Sequence, residues 1–169
     1  MARSASIAAK LVGATLIGTL PAGAVAQAQQ SRLEVQQQFC ANIKQVQSLA
    51  LQGFRPIDRG HDPRSKSADI HATSLELRDA YECFISREAG KQPSYMCSWH
   101  LAEETAPRQF RGMGNLIAHC LTLRPDWSMM NDTEMLQLDM DSGPTHVSLM
   151  GEQGDMILVI AVPEKKAAH

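Results

Sequence analysis

Four cysteines are the residues of this chain whose type and spacing most directly suggest chemistry. Cys83 and Cys97 lie in two short alternating runs, YECFIS and SYMCSWHL, which a polar turn separates. A redox-active pair is usually a C-x-x-C motif at the start of a helix, where the dipole lowers the thiol pKa, and zinc sites need similarly close ligands. Thirteen residues lie between these two cysteines, so the spacing favours a structural disulfide.

Strand register predicts how the four cysteines pair. We expect residues 80–100 to fold as a hairpin about Gly90, with alternate side chains on one face. Three predicted cross-strand pairs share that face: Cys83–Cys97, Ile85–Tyr95 and Tyr81–Trp99. Cys40 and Cys120 lie on the apolar sides of two predicted helices, so we expect a second disulfide to join those helices.

A polar segment, RGHDPRSKSADIH, contains four side chains that could act as ligands or as acid–base groups: His61, Asp62, Asp69 and His71. Their spacing matches no metal-ligand motif, and a solvated loop explains them more simply. An unrecognised hydrolase that uses His61 or His71 remains an alternative. We predict no catalytic or metal-binding residues and no cofactor.

Methionine is concentrated in the second half of the chain, and its thioether is a soft donor that suits Cu(I). The residues concerned are Met129, Met130, Met135, Met140, Met150 and Met156. Three of them, Met140, Met150 and Met156, fall in predicted strands, where methionine is an adaptable core residue. Periplasmic copper handling through methionine and histidine therefore stays an alternative to the main hypothesis.

The first 28 residues are typical of a secretory signal peptide. A basic segment with Arg3 and Lys10 precedes the apolar run LVGATLIGTL, and cleavage after Ala26 or Ala28 fits the small-residue rule. The apolar run is shorter than the roughly 20 residues of a membrane span, so we expect no membrane anchor after cleavage. Removing two of the 16 basic residues leaves 14 against 18 acidic ones, a net charge of −4, which gives no indication of nucleic-acid binding.

The rest of the chain predicts a single exported α+β domain over residues 29–163, followed by a flexible tail over residues 164–169. Ser31 and Glu34 have capping-box spacing at the start of a first helix, which Gly53 ends. Residues 54–67 are predicted to form a surface loop. A second helix is predicted over Thr105–Leu121, with Pro107 in its first turn. Six strands are predicted: DIHATSLEL, YECFIS, SYMCSWHL, TEMLQLDM, THVSLM and DMILVIAV.

The predicted order is helix, three strands, helix, three strands, in an antiparallel sheet with both helices on one face and two disulfides. Motifs for nucleophile elbows, zinc proteases and phosphate loops are absent. We therefore expect a periplasmic or secreted, non-catalytic, protein-binding module of the inhibitor, immunity or chaperone-like kind, whose partner is another envelope protein. Three connections are the predicted binding regions: Asp58–Ser67, Arg87–Pro93 and Pro125–Asp132.

Overall fold

The structure is a computed structural model that describes residues 22–130, 133–138, 145–152 and 154–162. The chain forms two compact units, Met1–Leu33 and Glu34–His169. Residues 22–33 of the first unit are the beginning of a helix. The sheet, the second helix and both disulfides belong to the second unit.

The described residues form two α-helices and eight strands, with short 3-10 turns at Arg55–Ile57 and Glu103–Thr105. In chain order these elements are α1 (Ala22–Ala50), β1 (Asp58–His61), β2 (Ile70–Thr73), β3 (Glu82–Ser86), β4 (Ser94–His100), α2 (Ala106–Leu121), β5 (Asp126–Met130), β6 (Thr133–Leu138), β7 (His146–Glu152) and β8 (Asp155–Ala161).

All eight strands belong to one antiparallel sheet in the order β1-β2-β3-β4-β8-β7-β6-β5. Each half of the chain is a helix followed by a four-stranded meander, and the last strands of the two meanders, β4 and β8, pair at the centre. The predicted class, an α+β fold with an antiparallel sheet and two disulfides, is confirmed.

The two additional strands, β1 and β5, correct the prediction of three strands after each helix. Both lie at the edges of the sheet. Strand β1 has the sequence DRGH and a register irregularity between Asp58 and His61. Charges, glycine and bulges are common on edge strands, and they remove the alternating pattern from which a strand is predicted. The predicted loops are therefore wrong over Asp58–His61 and Asp126–Met130.

One face of the sheet is apolar and buried, because alternate residues of its central strands point to the same side. These residues are Cys83 and Ile85 of β3, Tyr95, Cys97 and Trp99 of β4, Val147 and Leu149 of β7, and Met156, Leu158 and Ile160 of β8. They form one core with Phe39, Ile43, Val46 and Ala50 of α1 and with Phe110, Ile117, Ala118 and Cys120 of α2. Such a shared core is what we expect of two helices that lie on one face of the sheet.

Helix α1 begins at Ala22 rather than at Ser31. The predicted capping box of Ser31 and Glu34 is therefore wrong for this structure, because both residues lie inside the helix. The upstream segment AVAQAQQ consists mainly of alanine and glutamine, which are strong helix formers, and it extends the helix. At the other end, Gly53 has a φ of 59° and its N–H donates to the carbonyl of Ala50 at 2.8 Å, as expected of a left-handed helix end.

Helix α2 follows its prediction closely. Thr105 is the N-cap residue, Pro107 lies in the first turn, and the helix ends at Leu121. Thr122 then adopts a left-handed conformation with a φ of 57°. Since its predicted apolar residues are buried or half-buried, the helix packs against the core as its 3.6-residue periodicity indicates.

The structure contains both disulfides, Cys40–Cys120 between the helices and Cys83–Cys97 within the β3–β4 hairpin. Cys83 is directly opposite Cys97, with Cα atoms 4.1 Å apart. Tyr81 corrects one predicted pair, because it is 49% exposed and lies before β3, whereas Trp99 is buried. Strand pairing begins at Glu82. Tyr81 therefore precedes the strand residues whose alternate side chains are buried.

Among the residues that the structure describes, no helix combines the length and the apolarity needed to cross a membrane.

Candidate functional site

The polar segment around His61 and His71 lies at the β1–β2 edge of the sheet, and the two histidines are register partners there. Their side chains have different surroundings. His61 is exposed, whereas the Nδ1 of His71 lies 2.9 Å from Oδ1 of Asp58. Since an ionised carboxylate only accepts hydrogen bonds, Nδ1 of His71 is the donor. The structure therefore joins His71 to Asp58 rather than to the predicted neighbours Asp62 and Asp69.

Arg87 completes this cluster, which we call the Asp58 cluster: Asp58, His71 and Arg87. Arg87 follows β3, and its Nε donates to Oδ2 of Asp58 while its Nη2 donates to the carbonyl oxygen of Gly53 at 2.8 Å. The same guanidinium thus ties the end of α1 to the edge of the sheet. Sequence reasoning included Arg87 only as the start of a hairpin tip, because no periodicity connects positions 58 and 87.

Hydrogen bonds stabilise the ionised form of Asp58 in spite of its burial. Its side chain is only 13% exposed, and burial acts to raise the pKa of the carboxyl group. The backbone N–H of Gly60, at 2.7 Å, and the side chains of His71 and Arg87 together outweigh that effect and lower the pKa below its ordinary value. These contacts occupy both carboxylate oxygens, so Asp58 acts as a structural anchor.

Asp62 has a different structural role, in the turn after β1. It is buried, and its Oδ1 accepts a hydrogen bond from the backbone N–H of Arg64 at 2.9 Å, while the Arg64 Nη2 lies 2.7 Å from Oδ2. These hydrogen bonds lower the pKa of Asp62 to about 2. A carboxylate held so firmly in its ionised form is a weak general base near neutral pH.

A cavity of about 420 Å³ lies beside the Asp58 cluster, and we call it the hairpin-tip pocket. Three segments build it: the end of α1, the 3-10 turn that follows, and the tip of the β3–β4 hairpin. Its lining residues are Leu51, Gln52, Gly53, Arg55, Arg87, Gln92 and Pro93. The predicted binding region Arg87–Pro93 therefore contributes to a cavity, together with helix-end residues that the sequence did not single out.

Electrostatics make the hairpin-tip pocket suitable for an anion. Arg87 is largely neutralised by Asp58, with which it forms an ion pair. Arg55 is exposed and makes no side-chain hydrogen bond or ion pair with the residues that the structure describes. One guanidinium is therefore available in the pocket, beside a second whose position is fixed.

A second cavity, of about 340 Å³, lies between α2 and the ends of the two central strands, and we call it the Trp99 groove. Its apolar lining residues are Trp99, Leu101, Met113, Leu116 and Met156, and its polar ones are Asp79, His100 and Gln109, with Gly112 on the helix wall. The two cavities share no lining residue.

His100 stands at the edge of the Trp99 groove in a fixed orientation. Its Nδ1 lies 2.7 Å from Oδ1 of Asp155, its partner across β4 and β8. The Tyr81 ring stacks on the imidazole, with centroids 4.0 Å apart and planes 9° from parallel. Tyr81 therefore contacts His100 instead of pairing with Trp99, and it leaves Nε2 of His100 without a partner among the described residues.

The remaining candidate residues give no further site. All four cysteines are in disulfides, so no thiol is available. Within residues 22–130, 133–138, 145–152 and 154–162, no group of three or more His, Cys, Asp or Glu side chains could hold a metal ion. Met156 is buried and Met150 half-buried, as core residues should be. Met140 and the side chains of Met129, Met130 and Met135 lie outside the described part.

Comparison of the chain with family models, with curated proteins and with solved structures finds no match. The two cavities and the charges around them are therefore the features from which a function can be inferred.

Proposed function

We propose that this protein is a non-catalytic binding module that holds a protein partner at the hairpin-tip pocket by a carboxylate group of that partner. The observation that carries the proposal is the presence of Arg55 and Arg87 on the wall of one cavity of about 420 Å³. The available guanidinium of Arg55 suits a carboxylate because it offers planar, charge-assisted hydrogen bonds, and Arg87 lies beside it in a fixed position.

Two properties of the pocket favour a macromolecular partner. Leu51 lines it and is 63% exposed, so an apolar contact is available next to the charged ones. Arginine is enriched among the few residues that supply most of the binding energy of protein interfaces, and Leu51 adds apolar area beside it. Arg87 is also held in place by Asp58 and the Gly53 carbonyl, which reduces the entropy lost on binding.

The pocket's chemistry favours binding over catalysis. Its polar side chains are guanidiniums and amides, which neither accept protons near neutral pH nor attack carbonyl groups. His61 and His71, the residues of the hydrolase alternative, line neither of the two cavities described above. Copper handling through methionine and histidine stays a separate prediction.

We further propose that the module works in the periplasm or outside the cell, where inhibitor, immunity or chaperone-like proteins act. The predicted signal peptide, with cleavage after Ala26 or Ala28, supports export. The two disulfides are consistent with this location, because such bonds persist in oxidising compartments. A partner in the same envelope or medium then meets the folded, oxidised protein.

Charge reversal in the pocket tests the proposal. Immobilised wild-type protein, Arg55→Glu and Arg59→Glu are each exposed to the exported fraction of the source cells, and retained proteins are quantified by mass spectrometry. Arg59→Glu is the matched control, because Arg59 is exposed and four residues away but does not line the pocket. We expect one partner to be retained by wild type and Arg59→Glu and lost with Arg55→Glu. Equal retention by all three proteins, or no specific partner, would contradict the proposal.

A further inference from the structure

We propose that the Trp99 groove is a second binding site, for a small arylalkyl ammonium compound: an aromatic ring with a short chain that ends in a protonated amine. The proposal concerns a site apart from the hairpin-tip pocket. Its volume of about 340 Å³ falls at the lower end of small-molecule sites, which are about 300–1,000 Å³, and therefore suits a single ring with a short substituent.

The floor of the groove supplies an apolar surface for a ring. Trp99 and Met156 are buried beneath it, while Leu116 and Met113 are half-buried on its helix side. The indole is fixed, because Trp99 Nε1 donates to the Arg78 carbonyl oxygen at 3.0 Å. A preformed apolar floor of this kind binds a ring without first rearranging.

Gly112 opens the helix wall of the groove. The groove-lining positions of α2 are 109, 112, 113 and 116, a spacing that places them on one face of a helix. A Cβ atom at Gly112 would have no heavy atom within 4 Å. A larger side chain at this position would therefore occupy open space beside the groove wall instead of colliding with the protein.

The rim carries hydrogen-bond acceptors and one exposed carboxylate. Because the Asp155 carboxylate accepts from Nδ1 of His100, the neutral imidazole presents Nε2 as an acceptor. Asp79 adds a carboxylate that is 83% exposed, with Arg78 Nε 3.5 Å away as a partial counter-charge. An ammonium group has three donors and a positive charge, so it complements both acceptors, whereas a carboxylate has no donor to offer them.

Titrations followed by amide and indole NMR signals test this proposal on the ¹⁵N-labelled protein. The probes are 2-phenylethylammonium, 2-phenylethanol and 3-phenylpropionate, which share a ring and differ in head group. We expect saturable shifts of the Gly112 amide and the Trp99 indole N–H with the ammonium, with affinity about two- to fivefold weaker for the alcohol, as for an exposed ion pair, and weaker still for the carboxylate. Equal affinities for the three probes, or no shift of these signals, would overturn the proposal.

Four variants separate the groove from the rest of the molecule. Gly112→Leu should abolish the shifts by filling the groove, whereas Asn115→Leu, the same side chain at an exposed α2 position outside the groove, should preserve them.

Asp79→Asn should weaken the binding of the ammonium probe but not that of the alcohol, and asparagine tolerates the φ of 60° at this position. Arg55→Glu should leave all three affinities unchanged, so failure here is distinct from failure of the hairpin-tip pocket. Binding by Gly112→Leu at wild-type strength would refute the site.

Discussion

At the scale of single residues, the Asp58 cluster links three separate segments of the chain through one carboxylate. One carboxylate accepts hydrogen bonds from a backbone N–H, an imidazole and a guanidinium. Arg87 also donates a hydrogen bond to the Gly53 carbonyl oxygen, just after the end of α1. The position of the pocket's fixed guanidinium therefore depends on Asp58, although Asp58 does not line the pocket.

Replacing Asp58 by asparagine should destabilise the protein in a pH-dependent manner. At pH 7 we expect the free energy of unfolding to fall by about 1.5–3 kcal/mol, the range for hydrogen bonds to charged groups. The folded-state pKa of Asp58 is lowered from 3.8, so its stabilisation is complete above the unfolded-state pKa and is lost as the pH falls through the folded one. The difference between wild type and Asp58→Asn should therefore be constant from pH 7 to about pH 5 and shrink below about pH 4.

Urea denaturation at a series of pH values measures this difference, with Asp69→Asn as the control. Asp69 undergoes the same substitution, but its carboxylate accepts no hydrogen bond in the part of the chain that the structure describes. A destabilisation that does not change between pH 7 and pH 3, or an equal loss in Asp69→Asn, would show that the hydrogen bonds to the Asp58 carboxylate are not its cause.

At the scale of elements, sequence periodicity predicted six of the eight strands, the α2 helix and the pairing of the cysteines. The strand predicted over residues 69–77 is shorter than expected, because β2 ends at Thr73. The hairpin was predictable because alternation and turn position together fix which residues face each other. The position of the Tyr81 side chain was not predictable in this way, because strand pairing begins only at the next residue, Glu82. Strands β1 and β5 were not predicted. Each is an edge strand that pairs with one neighbouring strand, and the local sequence does not reveal that pairing.

The two disulfides close loops that contain different numbers of residues, so their removal should lower the free energy of unfolding by unequal amounts. The Cys40–Cys120 bond closes a separation of 80 residues and Cys83–Cys97 one of 14. In the chain-entropy model these loops correspond to about 4.5 and about 3 kcal/mol. We expect Cys40→Ala with Cys120→Ala to lower the free energy of unfolding by about 1.5 kcal/mol more than Cys83→Ala with Cys97→Ala does.

Urea denaturation of the two double variants under non-reducing conditions measures this, and each serves as the control for the other. If the hairpin variant loses as much stability as the inter-helix variant or more, then loop closure does not determine the order.

At the scale of the whole molecule, the fold is two helix-plus-meander halves joined at β4 and β8. Both cavities form between segments that are distant in sequence: the hairpin-tip pocket joins positions 51–55 to 87–93, and the Trp99 groove joins positions 79, 99–101, 109–116 and 156. Such sites could not be predicted from the sequence, since they depend on how helix ends pack beside strand ends. The hairpin tip alone was predicted, because long polar connections commonly carry binding residues.

The central claim is that a protein partner sits in the hairpin-tip pocket, and photo-crosslinking in the source cells tests it most directly. A photoreactive amino acid is placed at Gln92, which lines the pocket, or at Asn115, an exposed position that does not. We predict a single covalent adduct from position 92 that is absent from position 115 and that disappears when Arg55→Glu is added. Adducts of equal yield from both positions, or an adduct at 92 that survives Arg55→Glu, would contradict the account.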